Sequence, residues 1–279
     1  MSSEDVGSFK LMPQRSYAIK VQEDLTLTID GTIIRQKDDR TINLRNGWNG
    51  IGYTPLMNLT VQTALDDYSN FAQDGDIIKS HDEFAVFSKP ANSSRGTWKG
   101  SLQYMKPGEG YMLLRNGDGR ASFVYPFFEP GSTFLDDVGT RAPAKHVNAG
   151  KASTMSVSAI TSGVELMPGD QLLAFAEGEL RGAVTAAEDS VFYISIEGDM
   201  QQPLSFAIER EGDIIAVTPE ILTYKANAVV GKPDAPTRID FTVRDIPKFG
   251  WYTLDGYKLQ GRPTKKGVYI YNGKKYVID

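Results

Sequence analysis

Alternating hydrophobic and polar residues dominate the chain and predict β-strands. Residues that alternate in this way lie on opposite faces of a pleated strand, and the Gly, Asn, Asp and Pro residues between the runs predict turns. In the first half of the chain this pattern predicts strands over residues 25–29 and 41–44, and similar stretches rich in apolar residues predict strands over 84–87, 110–114 and 121–125. The first half is therefore expected to contain antiparallel sheets joined by tight turns.

One helix is predicted among these strands, over residues 60–68, with Asn58 or Thr60 as its N-cap. The apolar side chains that share helical spacing in this stretch are Val61, Leu65 and Tyr68. Because residues three or four apart lie on one side of a helix, we expect this side to pack on a sheet. Residues 47–126 are thus predicted to form a small α+β module.

The pattern changes after Pro126, where Pro, Gly and Asp replace the periodic apolar pairs and predict a linker over residues 127–146. Short strands then resume at intervals of about ten residues, which is typical of a β-sandwich, here over residues 147–243. The strands predicted in this unit are 152–160, 171–176, 182–185, 191–196, 204–209 and 214–217. Residues 244–279 are predicted to form a hairpin-rich β tail. The fold class is mostly β, with tandem small β-rich modules, a sandwich and a short C-terminal tail.

An internal repeat links the start of the chain to the first module. The stretch GSFKLMPQRSYAIKV at residues 7–21 returns as GSLQYMKPGEGYMLLR at residues 100–115. With one inserted residue, the identical pairs are Gly7/Gly100, Ser8/Ser101, Met12/Met105, Pro13/Pro107 and Tyr17/Tyr111. Residues 1–46 then contain the end of a preceding module, or strands within residues 7–34 complete the sheet of the following one.

Composition narrows the class of protein. Lys and Arg total 30 against 35 Asp and Glu, a net charge of −5, which argues against a nucleic-acid partner because phosphate binding needs a basic face. The chain has no cysteine, which excludes disulfides and thiolate chemistry. No apolar run reaches the roughly 18 residues of a membrane helix, and MSSEDVGSFK is not a signal peptide. We expect either a cytoplasmic protein or a piece of an exported one to which Met1 was added.

The first module carries the motifs GWNGIGY at 47–53, GDIIKS at 75–80, FAVF at 84–87, WKGSL at 98–102 and MKPGEGY at 105–111. Together these motifs resemble a module of exported Bacteroidetes proteins. In this chain Gly50 stands where such modules carry a bulky residue. GDQLLAF at 169–175, with Arg181-Gly182, resembles the sandwich that often follows, although Leu180 stands where relatives often carry Cys. The tail, WYTLDGYKLQG at 251–261 and KKGVYIYNGKKYVI at 265–278, is similar to sorting domains of the type IX secretion system.

Three aromatic residues are the candidate ligand-binding residues. Trp48 and Tyr53 follow the Gly47 turn, and Trp98 follows the polar stretch 92–97. Aromatic faces bind the apolar faces of sugars, so these side chains predict a carbohydrate platform. The alternative is that they are core residues, as most large aromatics are.

The sequence contains few residue patterns that indicate a metal site or a catalytic site. The turns Asp74-Gly-Asp76 and Asn116-Gly-Asp-Gly119 carry oxygen donors but lack the spacing of an EF-hand, and both are ordinary turn sequences. His81 and His146 are the only histidines, and no zinc ligand set is evident around them. We therefore predict no metal, no cofactor and no enzymatic activity, although 35 acidic residues leave a glycosidase-type carboxylate pair open.

The tail supplies the candidate sorting or anchoring residues, which are Gly267, Tyr269, Gly273, Lys274 and Lys275. The alternative role for its lysines is to blunt exposed sheet edges. The resemblance implies a cell-surface or secreted protein whose partners are the secretion or anchoring machinery, a glycan or another surface protein. We expect the C-terminal part of a larger protein that serves as a stalk or adhesion module, or alternatively a carbohydrate-binding module.

Overall fold

A computed structural model describes residues 10–19, 23, 26, 28, 31–129, 147, 149–219, 221–241, 250–254, 257–271 and 274–278. The described chain is mostly β, as predicted. Three short helices accompany the strands within these residues: α1 Lys37–Arg40, α2 Val61–Ala64 and α3 Asp66–Ser69. The predicted strand at 25–29, the linker from residue 130 to His146, and Gly273 lie wholly or mostly outside the described residues.

The first module is built on a five-stranded antiparallel sheet. Its strands and the two small ladders beside it are β1 Ile42–Leu44, β2 Gly47–Gly52, β3 Leu59–Thr60, β4 Ile77–Lys79, β5 Phe84–Ser88, β6 Thr97–Gly100, β7 Tyr104–Met105, β8 Gly110–Arg115 and β9 Ala121–Phe123. The order in the main sheet is β2-β8-β4-β5-β6, while β1 pairs with β9 and β3 with β7. The GWNGIG stretch, predicted only as a turn and motif, is therefore an edge strand of this sheet.

The predicted helix forms as two short helices, so the prediction of one continuous helix over 60–68 was wrong. Thr60 is the cap, since its hydroxyl accepts a hydrogen bond from the backbone N–H of Thr63 at 3.1 Å. Leu65 leaves helical geometry, with φ −104° and ψ 23°, and α3 restarts with Asp66 and Asp67. Acidic residues favour a helix N-terminus, which accounts for the restart. The predicted packing side is confirmed, because Val61, Leu65 and Tyr68 are buried.

The second unit is a sandwich of two sheets. Its strands are β10 Ser153–Ser162, β11 Gln171–Ala176, β12 Glu179–Thr185, β13 Phe192–Gly198, β14 Pro203–Arg210, β15 Asp213–Val217, β16 Leu222–Thr223, β17 Val229–Val230 and β18 Thr237–Asp240. One sheet joins β13, β10, β17 and β18, and the other begins β12-β11-β14-β15. The core between them contains apolar residues of both, such as Val157 and Ile194 from one sheet and Leu172 and Phe206 from the other.

The tail is part of this sandwich. Strands β19 Trp251–Thr253, β20 Gly267–Tyr271 and β21 Lys274–Ile278 continue the second sheet in the order β15-β21-β20-β19. They cover its outer face, where tail residues such as Val268 and Ile270 form a cluster with Leu173 and Phe175 of β11. The Val268 N–H also donates to the carbonyl of Gly178 at 2.8 Å. We call this cluster the tail contact.

The two copies of the repeat share a local geometry. In each copy, the residue before the proline donates its backbone N–H to the hydroxyl of the tyrosine five residues later. The bond runs from Met12 to Tyr17 in the first copy and from Lys106 to Tyr111 in the second, at 2.8 Å in both. The sequence identity therefore corresponds to the same tyrosine-closed turn.

The first copy lies against the sheet of the following module. The Gly52 N–H donates to the Gln14 carbonyl at 3.1 Å. Glycine is required at position 52, since a Cβ there would lie 2.1 Å from the Pro13 carbonyl oxygen. A Cβ at Gly50 would lie 2.6 Å from the Ser16 hydroxyl, so that side chain would have to move.

None of the helices in the described parts of the chain is long and apolar enough to cross a bilayer.

Candidate functional site

The first module and the sandwich share an apolar cluster, which we call the joint. The sheet of the first module contributes Ile77, Phe84 and Val86, and strand β13 with the residue before it contributes Tyr193 and Val191. Phe84 and Tyr193 meet edge to face, with their ring centroids 6.0 Å apart. Because the other face of the module sheet covers the module's own core, β4 and β5 are buried along their whole length. The two units are therefore docked through this shared apolar cluster.

A buried lysine lies in this interface. Lys79 is 4% exposed, and its amine donates to the carbonyl and the hydroxyl of Thr154, at 3.2 and 3.1 Å, and to Asn227 Oδ1 at 3.0 Å. All three acceptors are neutral and belong to the sandwich. Burial lowers the pKa of the Lys79 amine to about 8, because desolvation disfavours the charged form.

The side chains of Trp48 and Tyr53 pack against other residues of the protein. Trp48 is half-buried at the edge of the joint, where the Lys79 amine lies 4.9 Å from its ring centroid. Tyr53 is only 7% exposed, lies edge to face against Tyr125 and donates its hydroxyl hydrogen to the Met57 carbonyl at 2.9 Å. Tyr53 is therefore a core residue, whereas Trp48 packs at the edge of the joint.

Beside the joint, an open groove of about 970 Å³ runs between the two units, and we call it the intermodule groove. One wall comes from β6 and β7 and the residues between them, including Trp98, Lys99 and Tyr104. The other wall comes from two sandwich loops, residues 166–170 and 186–190, and from the start of β13. Clefts between domains are common ligand sites, which makes this groove the candidate site.

Trp98 reaches the groove but is not a free surface platform. Its ring is half-buried against Phe87 and Tyr68, with centroids 5.2 and 6.1 Å away. Its backbone N–H donates to Gln62 Oε1 at 3.2 Å, which fixes the strand edge. The buried indole N–H has no acceptor within the part of the chain that the structure describes.

The carboxylates of the sandwich wall organise its loops. Asp170 accepts two hydrogen bonds from the Arg210 guanidinium, at 2.9 and 2.8 Å, and one from the Met167 N–H at 2.8 Å. The bonds from Arg210 lower the Asp170 pKa. Asp189 accepts from the Tyr193 hydroxyl at 2.7 Å. Burial, reinforced by this bond, raises the Tyr193 pKa well above its ordinary value.

In the two turns that carry oxygen donors, protein groups form hydrogen bonds with several of these oxygens. The carbonyls of residues 117–119 accept hydrogen bonds from the Arg115 guanidinium, including one of 2.9 Å at the Gly119 carbonyl. Asp76 is fully buried and accepts from the Tyr68 hydroxyl at 2.5 Å and the Asn116 N–H at 2.8 Å.

The candidate sorting residues differ in their surroundings. Gly267 is buried, and the Tyr269 hydroxyl donates to the Lys265 carbonyl at 3.0 Å. Lys274 is exposed, whereas the Lys275 amine forms an ion pair with Glu209 of the sandwich in which both side chains are largely buried. Gly273 lies outside the described residues. Lys274 is thus more accessible to a partner than Lys275.

Sequence reasoning missed the groove because its walls are distant in the chain. Tyr104 and Lys99 lie in the first module, whereas Asp170, Asp189 and Tyr193 lie in the sandwich. One sequence signal pointed to the joint. The apolar run at 84–87 does not alternate, and such a run predicts a strand buried on both faces.

No protein-family model matches the chain, and neither does any curated protein or solved structure.

Proposed function

We propose that this chain is a non-catalytic, rigid display unit of a larger cell-surface or secreted protein, in the role of a stalk or adhesion module. The observation that carries this proposal is the joint, where Ile77, Phe84 and Val86 of one unit and Tyr193 of the other form an apolar cluster in addition to the core of each unit. Independent modules on a flexible linker would lack such a shared cluster and would move relative to each other. A fixed tandem unit holds its loops at a defined distance and angle, as a stalk or adhesin requires.

The tail suits an export or anchoring role in this proposal. The exposed Lys274 and the tyrosine strand β20 are available for recognition by a secretion machine, while the tail contact keeps the segment folded on the sandwich. The resemblance to type IX sorting domains motivates this assignment. It makes the proposed location extracellular or cell-surface.

Rigidity is tested by attaching spin labels at Ser94 and Glu211, one exposed residue in each unit, and measuring the distance distribution between them. We expect one narrow distribution that broadens when Phe84 is replaced by Ala. A broad distribution in the unmodified chain would contradict the proposed role. Location is tested by fractionating a type IX-competent host that expresses the parent protein with and without residues 250–279, and retention of both forms inside the cell would contradict export.

The intermodule groove favours a second candidate function, the binding of an uncharged oligosaccharide. Trp98 and Tyr104 line one wall, and Met167, which is 56% exposed, lines the other. Aromatic and thioether surfaces suit the apolar faces of sugar rings. Glu188 and Asp189 on the sandwich wall would repel an acidic glycan.

Glycan binding is tested on an array of neutral and acidic oligosaccharides, followed by calorimetry with Tyr104→Ala and Trp98→Phe. Trp98→Phe keeps an aromatic ring in the packed position but removes the pyrrole part of the indole, which reduces the aromatic surface of this wall. Tyr257→Ala, at a 71% exposed tail residue outside the groove lining, is the control. We expect both groove variants to weaken binding and the control to leave it unchanged. Absence of binding to all glycans would reject this function without affecting the display unit.

A further inference from the structure

Three potential metal ligands meet at the margin of the joint. His81 and Asp82 follow strand β4 in the first module, and Glu197 lies on β13 in the sandwich. One ligand atom from each residue lies within 4.8 Å of the other two. The spacing is a product of docking, because 115 residues separate Asp82 from Glu197 in the sequence.

The surroundings of the Glu197 side chain are unusual for a carboxylate that binds no metal. Its side chain is 4% exposed. Its Oε2 atom accepts hydrogen bonds from the backbone N–H groups of Ala149 and Lys151, both at 3.1 Å. Its buried Oε1 atom forms no hydrogen bond and lies 3.4 Å from His81 Nε2. A buried carboxylate oxygen without a donor is costly, and this one is directed at the only imidazole within reach in the described chain.

The distance between these atoms fits coordination better than hydrogen bonding. An N–H to carboxylate bond is ordinarily about 2.7–2.9 Å long. Two ligands of a tetrahedral zinc ion, each about 2.0–2.1 Å from the metal, lie about 3.4 Å apart. The His81–Glu197 separation of 3.4 Å therefore matches an edge of a zinc tetrahedron. Asp82 is exposed, and one of its carboxylate oxygens lies within 4.8 Å of the other two ligand atoms, which makes it the third ligand.

The backbone around the cluster is held in place. The Ser195 hydroxyl donates to the His81 carbonyl at 3.0 Å, which ties the β4 loop to β13 two residues before Glu197. The nearby lysines are engaged elsewhere. Lys151 pairs with Asp199 at 3.0 Å, and Lys79 donates to neutral oxygens. Neither amine therefore forms an ion pair with the Glu197 carboxylate among the described contacts.

We propose that His81, Asp82 and Glu197 bind a divalent transition-metal ion of the zinc type, with water completing its coordination, and that this ion clasps the two units together. One imidazole nitrogen and two carboxylate oxygens suit Zn²⁺, whereas Ca²⁺ and Mg²⁺ prefer oxygen ligands alone. Because the ligands come from both units, the ion binds the docked state and stabilises it by mass action.

The test uses the full chain without a purification tag, stripped of metal with EDTA. Calorimetry with ZnCl₂ should show one equivalent bound, and Co²⁺ should give the intense visible absorption of a four-coordinate site. His81→Ala and Glu197→Gln should each weaken Zn²⁺ binding at least about tenfold, since even outer-shell partners are worth 10–100-fold. His146→Ala, at the other histidine, is the matched control and should bind like the unmodified chain.

If the ion holds the two units together, Zn²⁺ should also raise the thermal stability of the protein. Zn²⁺ at about 100 times its Kd should raise the Tm of the unmodified chain by about 5 °C or more, and should not raise that of His81→Ala. His81 is 43% exposed in its side chain, so this variant should fold. One-equivalent binding that persists in His81→Ala, an effect of His146→Ala instead, or no Zn²⁺ binding below millimolar concentration would each overturn the proposal.

Discussion

The joint and the tail contact both cover the second face of a sheet, but they do so with different chemistry. At the tail contact, Leu173 and Phe175 of the sandwich meet Val268 and Ile270 in an apolar cluster. At the joint, an apolar cluster is accompanied by the buried amine of Lys79. The largely buried charges at the tail, Lys275 and Glu209, neutralise each other, whereas the acceptors of Lys79 are neutral.

This difference indicates that the tail contact is a fixed part of the fold, whereas docking at the joint varies with solution conditions. An apolar contact varies little with pH, salt or ions, whereas buried ionisable groups make docking depend on protonation and on bound cations. The tail contact is thus expected to behave as part of the sandwich fold. The joint is expected to respond to solution conditions, and the following substitutions test that distinction in order of decreasing effect.

Phe84→Ala should have the largest effect, because it removes a fully buried ring from the centre of the joint. Phenylalanine-to-alanine changes in cores cost about 3–5 kcal/mol of unfolding free energy. Urea unfolding followed by tryptophan fluorescence measures the loss. Leu56→Ala, at a 53% exposed residue of the same module, is the control and should change stability by less than about 0.5 kcal/mol. A cost below about 1 kcal/mol for Phe84→Ala would mean that the two units are not docked in solution.

Ile270→Ala should cost about 2–5 kcal/mol, since its side chain is fully buried in the tail contact. Val277→Ala on the adjacent strand is the matched control, because Val277 is 61% exposed. Thermal unfolding should show a lower Tm for Ile270→Ala with the cooperative transition of the sandwich retained. If Ile270→Ala instead released the tail and left the Tm unchanged, the tail would be an independent segment rather than part of the sandwich.

Lys275→Met should cost about 1.5–3 kcal/mol, because it leaves the carboxylate of Glu209 without its ammonium partner in a largely buried position. Its neighbour Lys274 is exposed, so Lys274→Met should be nearly neutral for stability. Denaturant midpoints measure both. In an export assay the order should reverse, with Lys274→Met having the larger effect if the accessible lysine is the recognised one. Equal stability of the two variants would contradict the ion pair.

The sequence predicted local structure well and long-range structure poorly. The strand predicted over residues 171–176 matches β11 to the residue, because apolar runs and turn chemistry are encoded locally. The split of the helix at Leu65 was not predictable, since its spacing fits a continuous helix. The groove and the cluster of His81 with Glu197 depend on how two units dock, and no local pattern reports that. The repeat was visible in the sequence, but the shared tyrosine-closed turn required coordinates.

The pH dependence of stability is the smallest effect and the most specific to the joint. The folded-state pKa of Lys79 is about 8, against an ordinary value of 10.5, so between these values the unfolded chain binds more protons than the folded chain. Stability should therefore rise with pH in this window, by about 1–2 kcal/mol between pH 7.5 and 9.5. Measurements should stop there, because the raised pKa values of Tyr68 and Tyr193 make stability fall once unfolded tyrosines ionise near 10. Lys79→Met should flatten the rise in urea titrations, and an unchanged slope in that variant would place the titrating group elsewhere.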